Sequence, residues 1–309
     1  MDATTAHFQV APEYRDRAPG TENSVPPAWF SAALRRERRT GEVRVDGVPI
    51  RFLSWGDPRE PATILVHGGA AHAMWWAPVA ARLDGHVVAL DLSGHGRSGH
   101  RPGYSIEHWA KEIIAVARSV SGGPATIVAH SLGGIVASHA MSHTGLGARF
   151  HRVVLLDAPV WPDAPAPEKP LSDREVRPHR SYATAAEALG RFRLVPSQPC
   201  ANDFYVEHIA WHSLAPFEEG WRWRFDPRIF ADPDGDHRIT RFEGDLDRAK
   251  SPFAVVMGER SYLSHGARAA LANRPGTPLC FVPDAAHHVM LDQPLALLAV
   301  IRDLLGSWP

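Results

Sequence analysis

Six short, almost wholly apolar runs punctuate this chain of 309 residues: Ile64-Leu65-Val66, Val87-Val88-Ala89-Leu90, Ile127-Val128-Ala129, Val153-Val154-Leu155-Leu156, Phe253-Ala254-Val255-Val256-Met257 and Leu279-Cys280-Phe281-Val282. A strand covered on both faces has no polar side to show, so it reads as a continuous apolar run rather than an alternation. Residues 106–120, 131–143, 265–273 and 293–305 carry apolar side chains three or four apart, the period of a helix with one face buried. Parallel strands require such crossovers, because the chain must return to the same end of the sheet each time. The expected fold class is therefore α/β, with a mostly parallel central sheet flanked by helices. Ahead of it, residues 43–46 and 50–55 alternate apolar and polar about Gly47, which predicts an antiparallel hairpin. No period of about 20 to 50 residues recurs, which argues against a solenoid.

The rhythm stops after Asp157 and resumes near Ser251. A Pro-rich stretch over 159–170 gives way to a segment heavy in aromatics: Phe192, Phe204, Tyr205, Trp211, Phe217, Trp221, Trp223 and Phe225. Residues 160–250 are accordingly expected to form a mainly helical cap inserted into a core made of 43–159 and 251–309, with 1–42 as an N-terminal extension. Most of the aromatics are expected to build the cap's own core.

Hydrophobic residues make up 44% of the chain and charged residues 22%, enough for a sizeable core. The formal net charge of −1 gives no electrostatic footprint for nucleic acid or an anionic membrane, so neither partner is expected. Arg35-Arg36-Glu37-Arg38-Arg39 is a local basic run. Beside Pro26, Pro27, Trp29, Phe30, Ala33 and Leu34 it reads as the solvated face of a short helix packed on the core. The first residues are polar and acidic, and nowhere do about eighteen apolar residues follow one another, which predicts a cytoplasmic protein. Cys200 and Cys280 are the only cysteines and are expected to be free thiols. The sequence is compatible with a homodimer.

The chemistry centres on Ile127-Val128-Ala129-His130-Ser131-Leu132-Gly133-Gly134, an apolar strand, a sharp turn and a helix opening at a serine. This reads as a nucleophile elbow, in which strained backbone geometry presents Ser131 and demands small residues two positions either side. A serine that merely caps the helix is the competing reading. After the strand ending at Val66, His67-Gly68-Gly69 supplies a loop whose backbone can approach a substrate. The N–H groups of Gly69 and Leu132 are the candidate oxyanion donors.

In order and spacing, His67-Gly68-Gly69, the loop Asp91-Leu92-Ser93-Gly94-His95-Gly96-Arg97-Ser98, His130-Ser131-Leu132-Gly133-Gly134 and Ala286-His287 resemble the landmarks of the α/β-hydrolase family. The resemblance covers 43–160 and 250–309; Ala129 stands where the elbow usually has glycine. It implies that His287, between the last strand and the last helix, is the base, and that the loop from Asp91 is structural. It also places an acid three residues past Gly258, where this chain has Ser261. Two carboxylates are left to complete a triad. Asp157 stands at the end of a strand, where haloalkane dehalogenases carry their acid, and is favoured over Glu259, which lies beside the usual position. Ser131 in place of an Asp nucleophile argues against dehalogenase or epoxide hydrolase chemistry.

The expected reaction is hydrolysis of an ester or lactone of a mainly apolar small molecule, with C–C cleavage beside a ketone as second choice. Competing functions are a non-hydrolytic small-molecule binding protein and a cofactor-free oxygenase or lyase. Trp75, Trp76 and Trp161 are expected at the mouth of the site, with His130 and His288 lining it. No cofactor or metal is expected: His287-His288 and the helically spaced His139 and His143 lack a fuller ligand set. Asp232, Asp234, Asp236 and Glu243 match a calcium loop in spacing, but His237 stands where its glycine belongs, so a solvated acidic turn is expected.

Overall fold

A computed structural model describes residues 9–10, 25–143, 150–161, 180–231, 245–272, 274 and 276–306. The opening hairpin joins β2 (Arg39–Val45) to β3 (Val48–Trp55), antiparallel in register with Val45 opposite Val48. Asp46 and Gly47 both hold positive φ, 51° and 79°, as a two-residue turn that follows the strand twist requires. The short strand β1 (Gln9–Val10) pairs antiparallel with β2.

The six apolar runs become β4 (Ala62–Val66), β5 (His86–Leu90), β6 (Thr126–His130), β7 (Arg152–Leu156), β10 (Phe253–Gly258) and β11 (Leu279–Val282). All six are parallel to their neighbours among themselves, and the nine-stranded sheet runs β1-β2-β3-β5-β4-β6-β7-β10-β11. Helices α3 (Ile106–Val120), α4 (Leu132–Ser142), α7 (Ser264–Leu271) and α9 (Pro294–Gly306) fall where the three- and four-residue spacing put them.

Alternation along each strand sorts side chains into two cores. Ile64, Ile127, Val153 and Val255 pack with α3, α4 and α7 on one face. Leu65, Val128, Val154 and Val256 pack with α9, α1 (Ala28–Arg35), α2 (Ala77–Ala80) and α8 (Val289–Asp292) on the other. Buried on both sides, the central strands are apolar on both faces, with polar residues such as His86, Thr126 and His130 at their ends. Phe30 and Ala33 of α1 are buried in the second core, so the basic run follows a helix that packs on the protein. The sheet takes in Arg39 to Glu42 and, through β1, Gln9 and Val10, all within the stretch 1–42.

The described part of the insertion holds α5 (Ala185–Leu189), α6 (Asp203–His212) and an antiparallel pair, β8 (Leu214–Phe217) and β9 (Gly220–Trp223). Among these described residues α-helix outweighs strand, and the β8–β9 hairpin was not anticipated. The acidic residues of the calcium-like spacing, Asp232 to Glu243, lie outside the described residues. Cys200 and Cys280 are free thiols. Among the described residues, no helix is long and apolar enough to cross a membrane.

Candidate active site

Register brings the site together. Val66 pairs with Ala129, His130 with Leu156 and Leu156 with Val256, so the loops leaving these strands share one end of the sheet. This is where open α/β sheets bind ligands. Ser131 follows β6 with φ 52° and ψ −120°, a backbone that L-residues rarely adopt, and its N–H donates to the Leu156 carbonyl at 3.0 Å. Gly133 makes the bend feasible, because a Cβ there would lie 2.5 Å from the His67 carbonyl oxygen. At Gly133 the elbow and the loop after Val66 thus approach backbone to backbone.

The Ser131 hydroxyl donates to His287 Nε2 at 3.0 Å, and His287 Nδ1–H donates to Asp157 Oδ1 at 2.8 Å. Asp157 is fully buried and His287 nearly so. The carboxylate is also held by the Gly258 N–H on Oδ2 at 2.7 Å and the Ser261 hydroxyl on Oδ1 at 2.6 Å. Because a carboxylate only accepts, it fixes the imidazole tautomer with the proton on Nδ1 and a lone pair facing Ser131. Glu259, the other candidate acid, is exposed, and its backbone N–H pairs with the Val282 carbonyl. Its side chain is not brought to His287.

A Cβ built on Gly69 would stand 3.6 Å from Leu132 Cδ2, so the two residues that carry the candidate oxyanion donors are neighbours. Leu132 opens α4, where its N–H has no carbonyl one turn earlier to receive it. Phe230, on the turn Pro227–Phe230 that leads out of the hairpin, borders Gly69 from the side of the 160–250 segment.

His130 and His288 are both buried next to His287, with ring centroids 4.9 and 5.1 Å from it. His130 Nε2–H donates to the His287 carbonyl at 2.9 Å, and His288 Nε2–H donates to the Pro196 carbonyl at 3.0 Å. Burial, then the neighbouring imidazoles, hold His130 well below the ordinary histidine range and push His288 down to about 3. Both are neutral supports of the His287 loop. One ligand atom from each of the three histidines falls within 4.8 Å of the others. Both ring nitrogens of His287 are already engaged, however, so an ion there would break the series.

The tryptophans divide. Trp75 packs edge-on against His288, with 5.4 Å between ring centroids. Trp161 is buried against Gly266 of α7, its Nε1 2.6 Å from where a Cβ would sit. Trp76 corrects the expectation of a residue at the mouth: it is fully buried in the second core, with no surface left for a ligand. Three contributors went unassigned in the sequence. Ser261 steadies the acid, and Asp292 Oδ2 accepts from Ala286 N–H at 2.8 Å and anchors the loop before His287. Gln198, from the insertion, accepts from His288 N–H at 3.0 Å and donates to Asp292. Only Ser261 had a signal, its place where the family's acid usually stands.

A parallel sheet with a strained serine between strand and helix, and an imidazole and a carboxylate in series behind it, defines the hydrolase class of α/β proteins. The chain belongs to the alpha/beta hydrolase family, whose model matches residues 63–300. It is similar to Esterase Rv0045c of Mycobacterium tuberculosis, 27% identical over 85% of this chain and 89% of that protein. Lipase LipV of the same organism is 28% identical over 81% of this chain and 95% of its own length. The crystal structure of the Rv0045c esterase superposes with a TM-score of 0.70 at 24% identity, covering 87% of this chain and 92% of that one.

Proposed function

We propose that the chain is a serine hydrolase cleaving carboxylic esters, lactones included, of mainly apolar small molecules beneath a cap formed by residues 160–250. The observation that carries this reading is the unbroken series from the Ser131 hydroxyl through His287 to Asp157. Ser131 Oγ attacks the ester carbonyl while its proton passes to His287 Nε2. The tetrahedral oxyanion is met by the N–H groups of Gly69 and Leu132, each donor of this kind contributing about 3 to 4 kcal/mol to the barrier reduction. Collapse expels the alcohol, which takes the proton from His287, and leaves an acyl-serine. Water then repeats the sequence, with His287 again as base, to release the acid. No step calls on a cofactor. The family membership and the names of the similar proteins, an esterase and a lipase, support ester chemistry.

The test is labelling by a fluorophosphonate together with hydrolysis of p-nitrophenyl esters of graded chain length. Wild type should label at one serine and turn over short to medium acyl groups, and Ser131→Ala should lose both. A protein that binds esters yet never labels would be a binding module on this fold. Turnover surviving Ser131→Ala would point to His287 acting alone as a base.

A further inference from the structure

From a cluster at the other end of the elbow helix, we infer that His139, His143 and Asp245 form a binding site for a divalent transition-metal ion of the zinc class. His139 and His143 stand one turn apart at the C-terminal end of α4, and in the sequence they lack a third ligand. The chain returning from the insertion supplies it: Asp245 Oδ2 lies 3.5 Å from His139 Nδ1. One ligand atom from each of the three residues falls within 4.8 Å of the others. Tetrahedral zinc with bonds of about 2.0 to 2.1 Å places its ligand atoms about 3.3 Å apart, so modest rotation of the half-buried His143 closes the set. Solvent would take the fourth position.

Three further observations point to a cation here. The Asp245 side chain is 2% exposed, and its Oδ2 accepts no hydrogen bond among the described residues, whereas Oδ1 is held by Arg248 at 2.6 Å. A buried carboxylate beside the negative end of a helix is doubly unfavourable unless positive charge faces it, and with the arginine on one oxygen the other faces His139 Nδ1 at 3.5 Å without a hydrogen bond. His143 Nδ1–H donates to the His139 carbonyl at 3.1 Å, which leaves Nε2 as its lone-pair nitrogen, the outer-shell arrangement that orients metal-binding histidines. Asp245 is itself fixed by its carbonyl, 2.5 Å from the Ser142 hydroxyl. At a rise of 1.5 Å per residue the cluster lies about 12 to 18 Å along α4 from Ser131. The ion would clip the end of the insertion to the helix that carries the nucleophile, and it would touch no substrate.

The experiment strips full-length protein with a chelator, then measures zinc by equilibrium dialysis and replaces it with Co2+ to read the visible d–d absorption of a tetrahedral site. Wild type should bind one zinc per chain with micromolar or tighter affinity and gain thermal stability. His143→Gln and Asp245→Asn should each weaken binding at least about 100-fold, while His143→Cys, which keeps a ligand in place, should retain it. His287→Ala should bind as wild type does. Should Asp245→Asn fail to fold, the partly exposed His143 pair decides alone. No zinc bound by wild type overturns the assignment; so does affinity unchanged in His143→Gln, the result expected if His139 pairs with Asp245 and His143 takes no part. Binding lost in His287→Ala would place the ion among His130, His287 and His288 and overturn it equally.

Discussion

Asp157 holds φ at 43°, Ser131 at 52°, Ala70 at 56° and Asp284 at 58°; apart from the hairpin turn at Asp46, these are the non-glycine residues with positive φ among those described. Each costs on the order of 1 to 3 kcal/mol, and all four lie on the loops that assemble the site. For Asp157 the strain aims a strand-end carboxylate at His287, which frees position 261 for a serine that donates to the same oxygen. Asp157→Asn should therefore lower kcat by about 1,000- to 10,000-fold through loss of the tautomer. Glu259→Gln should leave kcat unchanged, since its carboxylate is exposed and away from His287. A double variant, Asp157→Asn with Ser261→Asp, returns a carboxylate to the family's usual place, close to the oxygen that now holds Nδ1. It should recover at least about tenfold of the lost kcat, because the tautomer needs an acceptor rather than a particular strand. Steady-state kinetics on one ester settle the set, and equal losses in Asp157→Asn and Glu259→Gln would sink the assignment of the acid.

Helix α1 reaches the site chiefly through Phe30, with Trp29 beside it packing edge-on against Phe204 at 6.4 Å. Phe30, 2% exposed, packs edge-on against Phe204, Tyr205 and His208 of α6, with ring centroids 4.9, 5.1 and 5.6 Å away. Helix α6 is in turn tied to the segment after the oxyanion loop: the Tyr205 hydroxyl donates to the Trp75 carbonyl at 2.8 Å, and His208 Nε2–H donates to that of Met74 at 3.2 Å. Phe30→Ala should destabilise the fold by about 3 to 5 kcal/mol, read as a lower denaturant midpoint at unchanged slope. An unaltered midpoint would mean that α1 is an ornament on the core. The sheet was legible because burial on both faces leaves one mark in a strand, whereas the contact of α1 with α6 joins residues too distant for any local pattern to connect. Ser131 and His287 were legible for a different reason: each sits where a strand must turn into a helix, a place the apolar runs mark. The hairpin β8–β9 was hidden by its length, four residues a strand, and by Pro216 within it. Trp76 misled because an aromatic near an oxyanion loop reads alike whether it faces ligand or core.

Across the whole molecule, buried neutral histidines link fold to pH. Burial holds His72, His95, His130 and His212 well below the ordinary imidazole range, and pushes His208 down to about 4 and His288 to about 3. In the unfolded chain each titrates near 6.5. As pH falls below 6.5, the unfolded state takes up protons that the folded state refuses until about pH 4 for His208 and about pH 3 for His288, so stability falls with pH across that window. At pH 5 His208 and His288 each cost about 2 kcal/mol relative to pH 8, and the other four act in the same direction. Net stability for a domain is only about 5 to 15 kcal/mol. The unfolding free energy from urea titrations should thus drop by at least about 4 kcal/mol between pH 8 and pH 5, and a flat profile would refute the neutrality of these groups. Because His130 and His288 brace the His287 loop, acid should reach activity through the fold. A jump to pH 3, where His288 is forced to take up its proton, should therefore give a loss of activity that develops together with the far-UV signal, and a loss complete before that signal moves would refute the link.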